Sequence, residues 1–186
     1  MPANMRPSDL RAATLSLGGR VASGELPDTR GDRIETFIAS LGGKLVERVL
    51  IDMDQGEMHR QLCRLADEGV ADLVFTTGSV GIAAHDIAAD VVGQVIDFHV
   101  PGMADAMRAH SIQRDPLCML SRYVVGVRGA TLIATLPGKI EDLADILELL
   151  RPVLPDAVRD LRTRAPRGAP GASCRACRRV SRTRQG

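Results

Sequence analysis

Residues 72–81 read Asp72-Leu73-Val74-Phe75-Thr76-Thr77-Gly78-Ser79-Val80-Gly81, an apolar run that passes directly into a loop of glycines and hydroxyl side chains. The apolar run predicts a short buried strand, and the glycines that follow it predict a turn. A helical pattern then covers residues 86–95. Strand, glycine turn and helix in this order are typical of one βαβ unit of a parallel sheet.

The same alternation extends outward from this unit in both directions. Strands are predicted at 12–17, 45–51, 72–76, 123–127 and 131–135, and helices at 30–41, 54–69, 86–95, 103–112 and 139–150. This order predicts an α/β fold, a three-layer sandwich with a mostly parallel sheet and helices on both faces. Ligands of such sheets bind outside the carboxyl ends of the strands. We therefore expect the loops after Leu17, Ile51, Thr76 and Thr135 to share one edge.

The length and charge of the chain predict one domain with a basic appendage. The chain has 186 residues, which is room for one ordinary domain. We expect a flexible N-terminus at 1–11, the domain at 12–161 and a basic, disordered tail at 162–186. The tail carries eight arginines and no acid, whereas residues 1–161 carry 16 basic and 23 acidic side chains.

The tail does not specify a partner. A run of arginines can contact nucleic acid, but by itself it carries no recognition signal. Aromatic residues make up only 2% of the chain, which disfavours a site that stacks single-stranded bases. Cys174 and Cys177 form one C-x-x-C pair without a second pair, so a zinc site there would need ligands from elsewhere.

Composition also sets an expectation for the compartment. No apolar run approaches the roughly 18 residues needed to cross a bilayer. The first residues, Met1-Pro2-Ala3-Asn4-Met5-Arg6, lack the basic start and apolar stretch of a secretory signal. The sequence therefore predicts a cytoplasmic protein without a membrane span.

The loop at 76–81 is the first candidate for chemistry. Its glycines let backbone N–H groups approach an anion, and its hydroxyls add donors without bulk, so it can hold a phosphate. A turn of this kind is also common as a purely structural connection. Asp86, just beyond it, has two interpretations: a first-turn acid or cap that favours the helix dipole, or a carboxylate that holds Mg²⁺ against substrate phosphates.

Several short motifs, taken in order, resemble the molybdopterin adenylyltransferase family, which includes the G domain of gephyrin and its plant and bacterial relatives. The matching segments are Gly24-Glu25 through Asp28 with Gly31, Thr76-Thr77-Gly78 with Gly81 and Asp86, Val100-Pro101-Gly102 with Met107-Arg108, Leu120-Ser121-Arg122, Gly126 to Gly129, Thr131-Leu132-Ile133 and Leu136-Pro137-Gly138. The resemblance spans roughly residues 12 to 161, and the order and spacing of the motifs make it fairly specific.

The resemblance implies an activity and its cofactors. Proteins of this family have an α/β fold, are commonly trimeric, and transfer AMP from Mg-ATP to the terminal phosphate of molybdopterin. This chain is thus expected to act in molybdenum cofactor biosynthesis, with molybdopterin as ligand or substrate, ATP and Mg²⁺ as cofactors, and a homotrimer as its assembly.

The resemblance also assigns site residues. The expected substrate-binding residues are Thr76, Thr77, Gly78, Ser79, Gly81, Ser121, Arg122, Pro137 and Gly138. The expected catalytic acids are Asp86, which would also hold the metal, and Asp52 or Asp54. Phosphoryl transfer requires positioning and charge stabilisation more than a covalent nucleophile, so this residue set is chemically coherent.

Several segments depart from the family pattern, and three of them bear on catalysis. Met53 stands where the first catalytic acid is expected, Ser79-Val80 interrupts the usual Thr-Thr-Gly-Gly-Thr-Gly loop, and Gly18-Gly19 replaces the usual Ser-Asp. These departures leave an alternative open, in which the chain is a non-catalytic relative that binds molybdopterin, or a scaffold protein.

Overall fold

The computed structural model of the protein describes residues 10–164. Almost all of the predicted N-terminal segment and tail, including Cys174 and Cys177, lies outside the described residues. The last helix ends at Arg164, three residues past the domain end expected at Leu161. Its final turn is fixed by Arg162, whose Nε donates to Asp72 Oδ1 at 3.1 Å.

A single sheet forms the centre of the described part. Its strands are β1 (Arg11–Leu17), β2 (Lys44–Ile51), β3 (Leu73–Thr77), β4 (Phe98–His99), β5 (Val125–Arg128) and β6 (Thr131–Leu136). The strand order is β2-β1-β3-β6-β5-β4. The strands β2, β1, β3 and β6 are mutually parallel, whereas β5 pairs antiparallel with both β6 and β4. The predicted mostly parallel sheet is confirmed.

Helices cover both faces of this sheet. They are α1 (Gly19–Ala22), α2 (Thr29–Ser40), α3 (Gln55–Asp67), α4 (Ala88–Val95), α5 (Pro101–Ile112), α6 (Ile140–Leu150) and α7 (Leu154–Arg164), with a 3₁₀ helix at Pro116–Leu120. Asp54 caps α3 by accepting the Glu57 N–H at 2.8 Å, as the sequence predicts. Among residues 10–164, no helix is both long and apolar enough to span a bilayer.

Strand alternation divides the apolar residues into two cores. Leu73 and Phe75 of β3 pack with α2, α5, α6 and α7, whereas Val74 packs on the opposite face with α3 and α4. Successive side chains of a strand point to opposite faces, so a continuous apolar run supplies both cores at once. This arrangement is the three-layer α/β sandwich expected from the sequence.

Candidate functional site

The carboxyl ends of the four parallel strands form one edge of the sheet, as expected. The turns that follow the strands are joined in pairs by backbone hydrogen bonds. Gly18 N–H, after β1, donates to the carbonyl of Ile51 at the end of β2 (3.1 Å), and Gly78 N–H, after β3, donates to the carbonyl of Leu136 at the end of β6 (3.2 Å). The loops singled out from the sequence therefore lie side by side.

Gly78 and Gly138 make the closest approach at this edge. Gly78 has a φ of +85°, in the left-handed region that favours glycine. A Cβ on Gly138 would lie 3.5 Å from the Cα of Gly78, and Pro137 beside it is buried. The structure thus brings together Thr77-Gly78 and Pro137-Gly138, two segments 60 residues apart in the chain.

In the loop after Gly78, the backbone carbonyls accept hydrogen bonds from the protein, whereas the backbone N–H groups donate none to the described residues. The carbonyl of Ser79 accepts the Ala88 N–H (3.1 Å), that of Val80 accepts the Arg122 N–H (2.7 Å), and that of Gly81 accepts Arg122 Nε (2.7 Å). The N–H groups of Ser79, Val80 and Gly81 donate to no residue between 10 and 164. Consecutive uncommitted backbone donors are what an anion requires.

Arg122 holds this loop in place and has little capacity left for a ligand. Besides Gly81, its guanidinium donates to the carbonyl of Asp86 and to both carboxylate oxygens of Asp90, at 2.8 and 3.0 Å. The sequence assigned Arg122 to the lining of the site. In the structure, its guanidinium donates to backbone carbonyls of the loop and to the Asp90 carboxylate, so Arg122 is a positioning residue.

Ser79 and Asp86 also bond within the loop. Ser79 has a φ of 60°, and its hydroxyl donates to the carbonyl of His85 (2.8 Å) and accepts the Ile87 N–H (2.7 Å). Asp86 Oδ2 accepts the Ala83 N–H at 2.9 Å. The helix cap before α4 is Ile87, so Asp86 braces the loop rather than capping the helix.

The two predicted threonines occupy different environments. Thr76 is fully buried, and its hydroxyl has no hydrogen-bond partner within the described residues. Thr77 Oγ1 donates to Ser16 Oγ (3.2 Å), and Ser16 Oγ donates to Asp28 Oδ1 (3.0 Å). This hydrogen-bond chain connects the end of β3 to the N-cap of α2, because Asp28 also accepts the Gly31 N–H at 3.0 Å.

The acids that flank Met53 have separate environments at the end of β2. Asp54 is committed to its cap on α3. Asp52 Oδ1 accepts the neighbouring Met53 N–H (2.7 Å) and would lie 3.1 Å from a Cβ on Gly19, so it faces the turn after β1. Met53 itself is 38% exposed. Asp52 is thus the acid that lies against a neighbouring loop of the edge.

Ser121 lies behind the loop and bonds away from it. Its carbonyl accepts Arg108 Nε at 3.3 Å, and its side chain hydrogen-bonds Tyr123. Burial raises the pKa of Tyr123, although the hydrogen bonds from Ser111 and Ser121 oppose this shift. The phenol is therefore neutral at physiological pH, and Ser121 supports the core beneath the loop.

Arg30 is a residue of this edge that the sequence predictions missed. Its Nη2 donates to the carbonyl of Leu17 at 3.1 Å. Its Nη1 would lie 2.9 Å from a Cβ on Gly78 and 3.6 Å from a Cβ on Gly138. The sequence contains a signal for Arg30. A cation in the first turn of a helix is unfavourable next to the positive end of the helix dipole, which marks the residue as a candidate for a functional role.

The acids of this edge do not form a metal cage by themselves. Among residues 10–164, no three His, Cys, Asp or Glu side chains converge as a metal site. Magnesium in nucleotide sites takes one or two carboxylates and completes its shell with water and substrate phosphates. Asp86 and Asp52 each have one oxygen bound to a backbone N–H and a second oxygen without such a bond, so either fits that mode.

Comparison with known proteins shows the family of the chain. A family model described as a probable molybdopterin binding domain matches residues 13–156. The chain belongs to that family. The match includes most of β1, the loops after β2 and β3 and the turn after β6, which together make up the edge described above.

Two named relatives of the chain are enzymes. The chain is 31% identical over 151 residues to a molybdopterin adenylyltransferase of Helicobacter pylori, covering 80% of this chain and 86% of that protein. A molybdopterin adenylyltransferase of Escherichia coli is 33% identical over 141 residues, with 75% and 72% covered. The molybdopterin biosynthesis enzyme MoaB of Thermus thermophilus superposes with a TM-score of 0.77 at 30% identity, covering 84% of this chain and 99% of that one. The resemblance seen in the sequence is confirmed.

Proposed function

We propose that this molybdopterin-binding domain is an enzyme of molybdenum cofactor biosynthesis that transfers AMP from Mg-ATP to the terminal phosphate of molybdopterin. The relatives named molybdopterin adenylyltransferase support the activity. The observation that carries the proposal is the loop at 79–81, whose uncommitted N–H groups follow directly on the Gly78–Gly138 contact. Backbone donors at the carboxyl edge of a parallel sheet suit a phosphate-bearing ligand.

The ligand would contact backbone more than side chains. Thr77, Gly78, Pro137 and Gly138 would form the walls, and the N–H groups of Ser79 to Gly81 would bind the phosphate. Ser121, Arg122 and the hydroxyl of Ser79 would act from behind by holding the loop, because their polar atoms are bound to protein. Buried Thr76 would shape the strand beneath the ligand.

The reaction itself is an in-line displacement. An oxygen of the terminal phosphate of molybdopterin forms a bond to the α-phosphorus of ATP, the α–β anhydride bond breaks, and pyrophosphate leaves. Asp86 would hold Mg²⁺, which would supply neutralisation of the phosphate charge that develops in such a transfer, and Asp52 would be the second catalytic acid. The chain's own contribution is to orient the two phosphates and to hold the acids at the loop ends.

The direct test is adenylyl transfer by the purified protein. Incubation with molybdopterin and Mg-ATP is expected to release pyrophosphate and to form adenylylated molybdopterin, detected by chromatography, and EDTA is expected to stop the reaction. Retained molybdopterin binding without turnover would instead support a non-catalytic relative, and absence of binding would support a scaffold role. Either result overturns the proposed activity.

The role of Asp86 is tested by substitution. Asp86→Ala is expected to lower magnesium-dependent turnover about a hundredfold or more, as removal of a group that stabilises transition-state charge does. Asp105→Ala, which removes a 70% exposed acid on α5, is the matched control and is expected to leave turnover unchanged. If Asp86→Ala keeps the wild-type rate, the assignment of Asp86 is wrong.

The assembly and the compartment stay predictions. We propose a homotrimer in the cytoplasm. Light scattering of the purified protein is expected to give three times the 19.9 kDa chain mass, and a monomer mass would overturn the assembly.

A further inference from the structure

The guanidinium of Arg30 lies where three strand ends meet. It bonds the carbonyl that ends β1, through Nη2 to Leu17 at 3.1 Å. Its other terminal nitrogen sits against the glycine turns after β3 and β6, at 2.9 Å from the Cβ position of Gly78 and 3.6 Å from that of Gly138. A side chain other than glycine at position 78 would collide with it, so the left-handed turn and the arginine fit each other.

The charge of Arg30 is not neutralised inside the described part of the protein. Among residues 10–164, its guanidinium makes that one hydrogen bond and no ion pair with a carboxylate. Two other arginines do have carboxylate partners: Arg48 on β2 pairs with Asp32 and Glu35, and Arg122 pairs with Asp90. Of the five N–H donors of an arginine, Arg30 therefore has several uncommitted, on a side chain that is only partly exposed.

The position of Arg30 in α2 makes this charge more unusual. Arg30 is the second residue of the helix, where the partial positive charge of the dipole disfavours a cation. The N-cap carboxylate of Asp28 does not relieve it, because one oxygen accepts from Ser16 and Gly31 and the other is buried. An anion placed beside Arg30 would be attracted by both the guanidinium and the helix end.

We propose that Arg30 binds a phosphate group of the ligand directly, as the cationic side of a pocket whose other side is the backbone of residues 78–81. A planar fork that donates to phosphate oxygens gives both charge and orientation. This assignment rests on the proposed function and adds the residue that selects for the phosphate. The phosphate belongs either to the pterin ligand or to the nucleotide, which share this chemistry.

The test uses binding rather than turnover. Calorimetric titrations of the full chain compare a pterin that carries a side-chain phosphate monoester, the same pterin without phosphate, and ATP. Arg30→Gln is expected to weaken binding of the phosphorylated ligand about ten- to a hundredfold, the range for loss of a charged hydrogen-bond partner, and to leave the phosphate-free pterin unaffected. Arg30→Lys is expected to restore part of the loss, because it keeps the charge without the fork.

Arg33→Gln is the matched control, since Arg33 is an exposed arginine one turn further along α2, near Glu148. It is expected to bind every ligand as the wild type does, and all variants are expected to keep the wild-type melting temperature. A loss confined to the phosphorylated pterin assigns Arg30 to that phosphate, and a loss confined to ATP assigns it to the nucleotide.

Equal losses for the phosphate-free and phosphorylated pterins would overturn the proposal, because they indicate a structural role through Leu17. Wild-type affinity of Arg30→Gln for every phosphorylated ligand would overturn it too, while leaving the proposed function intact. If the wild-type chain binds neither pterin, the proposed function fails, and the Arg30 assignment fails with it.

Discussion

At the scale of single residues, the loop after β3 depends on a close contact between Gly81 and Asp86. The Asp86 carboxylate accepts the Ala83 N–H at 2.9 Å, and a Cβ on Gly81 would lie 2.6 Å from the same oxygen, Oδ2. That separation is shorter than van der Waals contact allows, so any side chain at position 81 must push the carboxylate away. The glycine here is required by its neighbour and not by a left-handed φ.

Gly81→Ala is therefore expected to disable the loop without unfolding the protein. Displacement of Asp86 should lower adenylyl transfer up to about a hundredfold, because positioning errors near 1 Å have effects of that size, and cost about 1 kcal/mol of unfolding free energy. Gly93→Ala is the control, because a Cβ there meets nothing within 4 Å on α4. It should raise stability by about 0.5–1 kcal/mol and keep full activity. Steady-state kinetics and urea unfolding measure both, and full activity of Gly81→Ala would refute the expectation.

The two acids beside Met53 are expected to have different roles, one in stability and one in the reaction. Asp54→Ala removes the N-cap of α3 and should cost about 1 kcal/mol of stability with little change in the transfer rate. Asp52→Ala should do the reverse, lowering the rate about a hundredfold at unchanged stability. Thermal unfolding and kinetics on the same preparations distinguish the two. If Asp54→Ala abolishes turnover at a wild-type melting temperature, the acid is Asp54 instead.

At the scale of elements, Asp72 joins three of them. It lies 4% exposed just before β3, accepts bonds from Arg11 of β1, and accepts bonds from Arg162 of α7. Burial alone would raise its pKa, but the hydrogen bonds from Arg162 and Arg11 outweigh burial, and the pKa of Asp72 is lowered. A carboxyl whose pKa is lower in the folded than in the unfolded chain stabilises the fold above its unfolded pKa, about 3.9.

The contribution of Asp72 should thus be present at neutral pH and lost in acid. Asp72→Asn is expected to cost about 2–4 kcal/mol at pH 7, as loss of one partner of a largely buried ion pair does. The difference from wild type should shrink as the pH falls below about 4 through the lowered pKa. Urea unfolding between pH 7 and pH 3 measures this difference. The control is Asp160→Asn at a 79% exposed acid, whose difference from wild type should not change with pH. A difference that is independent of pH would show that the effect is not ionic.

Elements were more predictable from the sequence than the contacts between them. The strands β1, β2 and β3 lie within one residue of their predicted bounds, because apolar runs between glycines and acids are local signals. The helix α4 begins at Ala88 rather than Asp86, since Asp86 bonds backward to Ala83. The helix α7 is not among the helices predicted from the sequence; it begins at Leu154 after a break at Pro152, and Pro155 is tolerated in its first turn.

The backbone of the site was predictable for the same reason, and its side chains were not. Parallel strands must end at one edge, so Gly78 and Gly138 could be placed together from topology alone. Arg122 reaches Gly81 across 41 positions of sequence, and Arg30 reaches Gly78 across 48. No periodicity encodes where a long, flexible side chain ends, so the sequence could not show that Arg122 bonds the carbonyls of the loop or that Arg30 lies beside Gly78.

At the scale of the whole molecule, the residues that stabilise the fold and the residues proposed for the reaction lie on different parts of the sheet. The two cores lie on its faces and are built from aliphatic side chains, whereas the polar backbone turns lie at its carboxyl edge. Because the strands are anchored on both faces, the ends of β1, β3 and β6 keep their spacing while the loops vary. The sheet can therefore hold its carboxyl edge in place with Ser79 and Val80 in the loop after β3.

This separation predicts which part of the chain the reaction requires. The family match ends at residue 156, and Arg162, near the end of α7, bonds Asp72 just before β3. A chain that stops after Arg164 is expected to keep the melting temperature and transfer rate of the full chain. A chain that stops after Leu161 loses the Arg162 bond and is expected to melt at a lower temperature. The truncation after Arg164 removes six arginines and no acids, so any salt-sensitive binding of DNA by the full chain should vanish with it. A truncation after Arg164 that loses adenylyl transfer would contradict this division and assign residues 165–186 a part in catalysis.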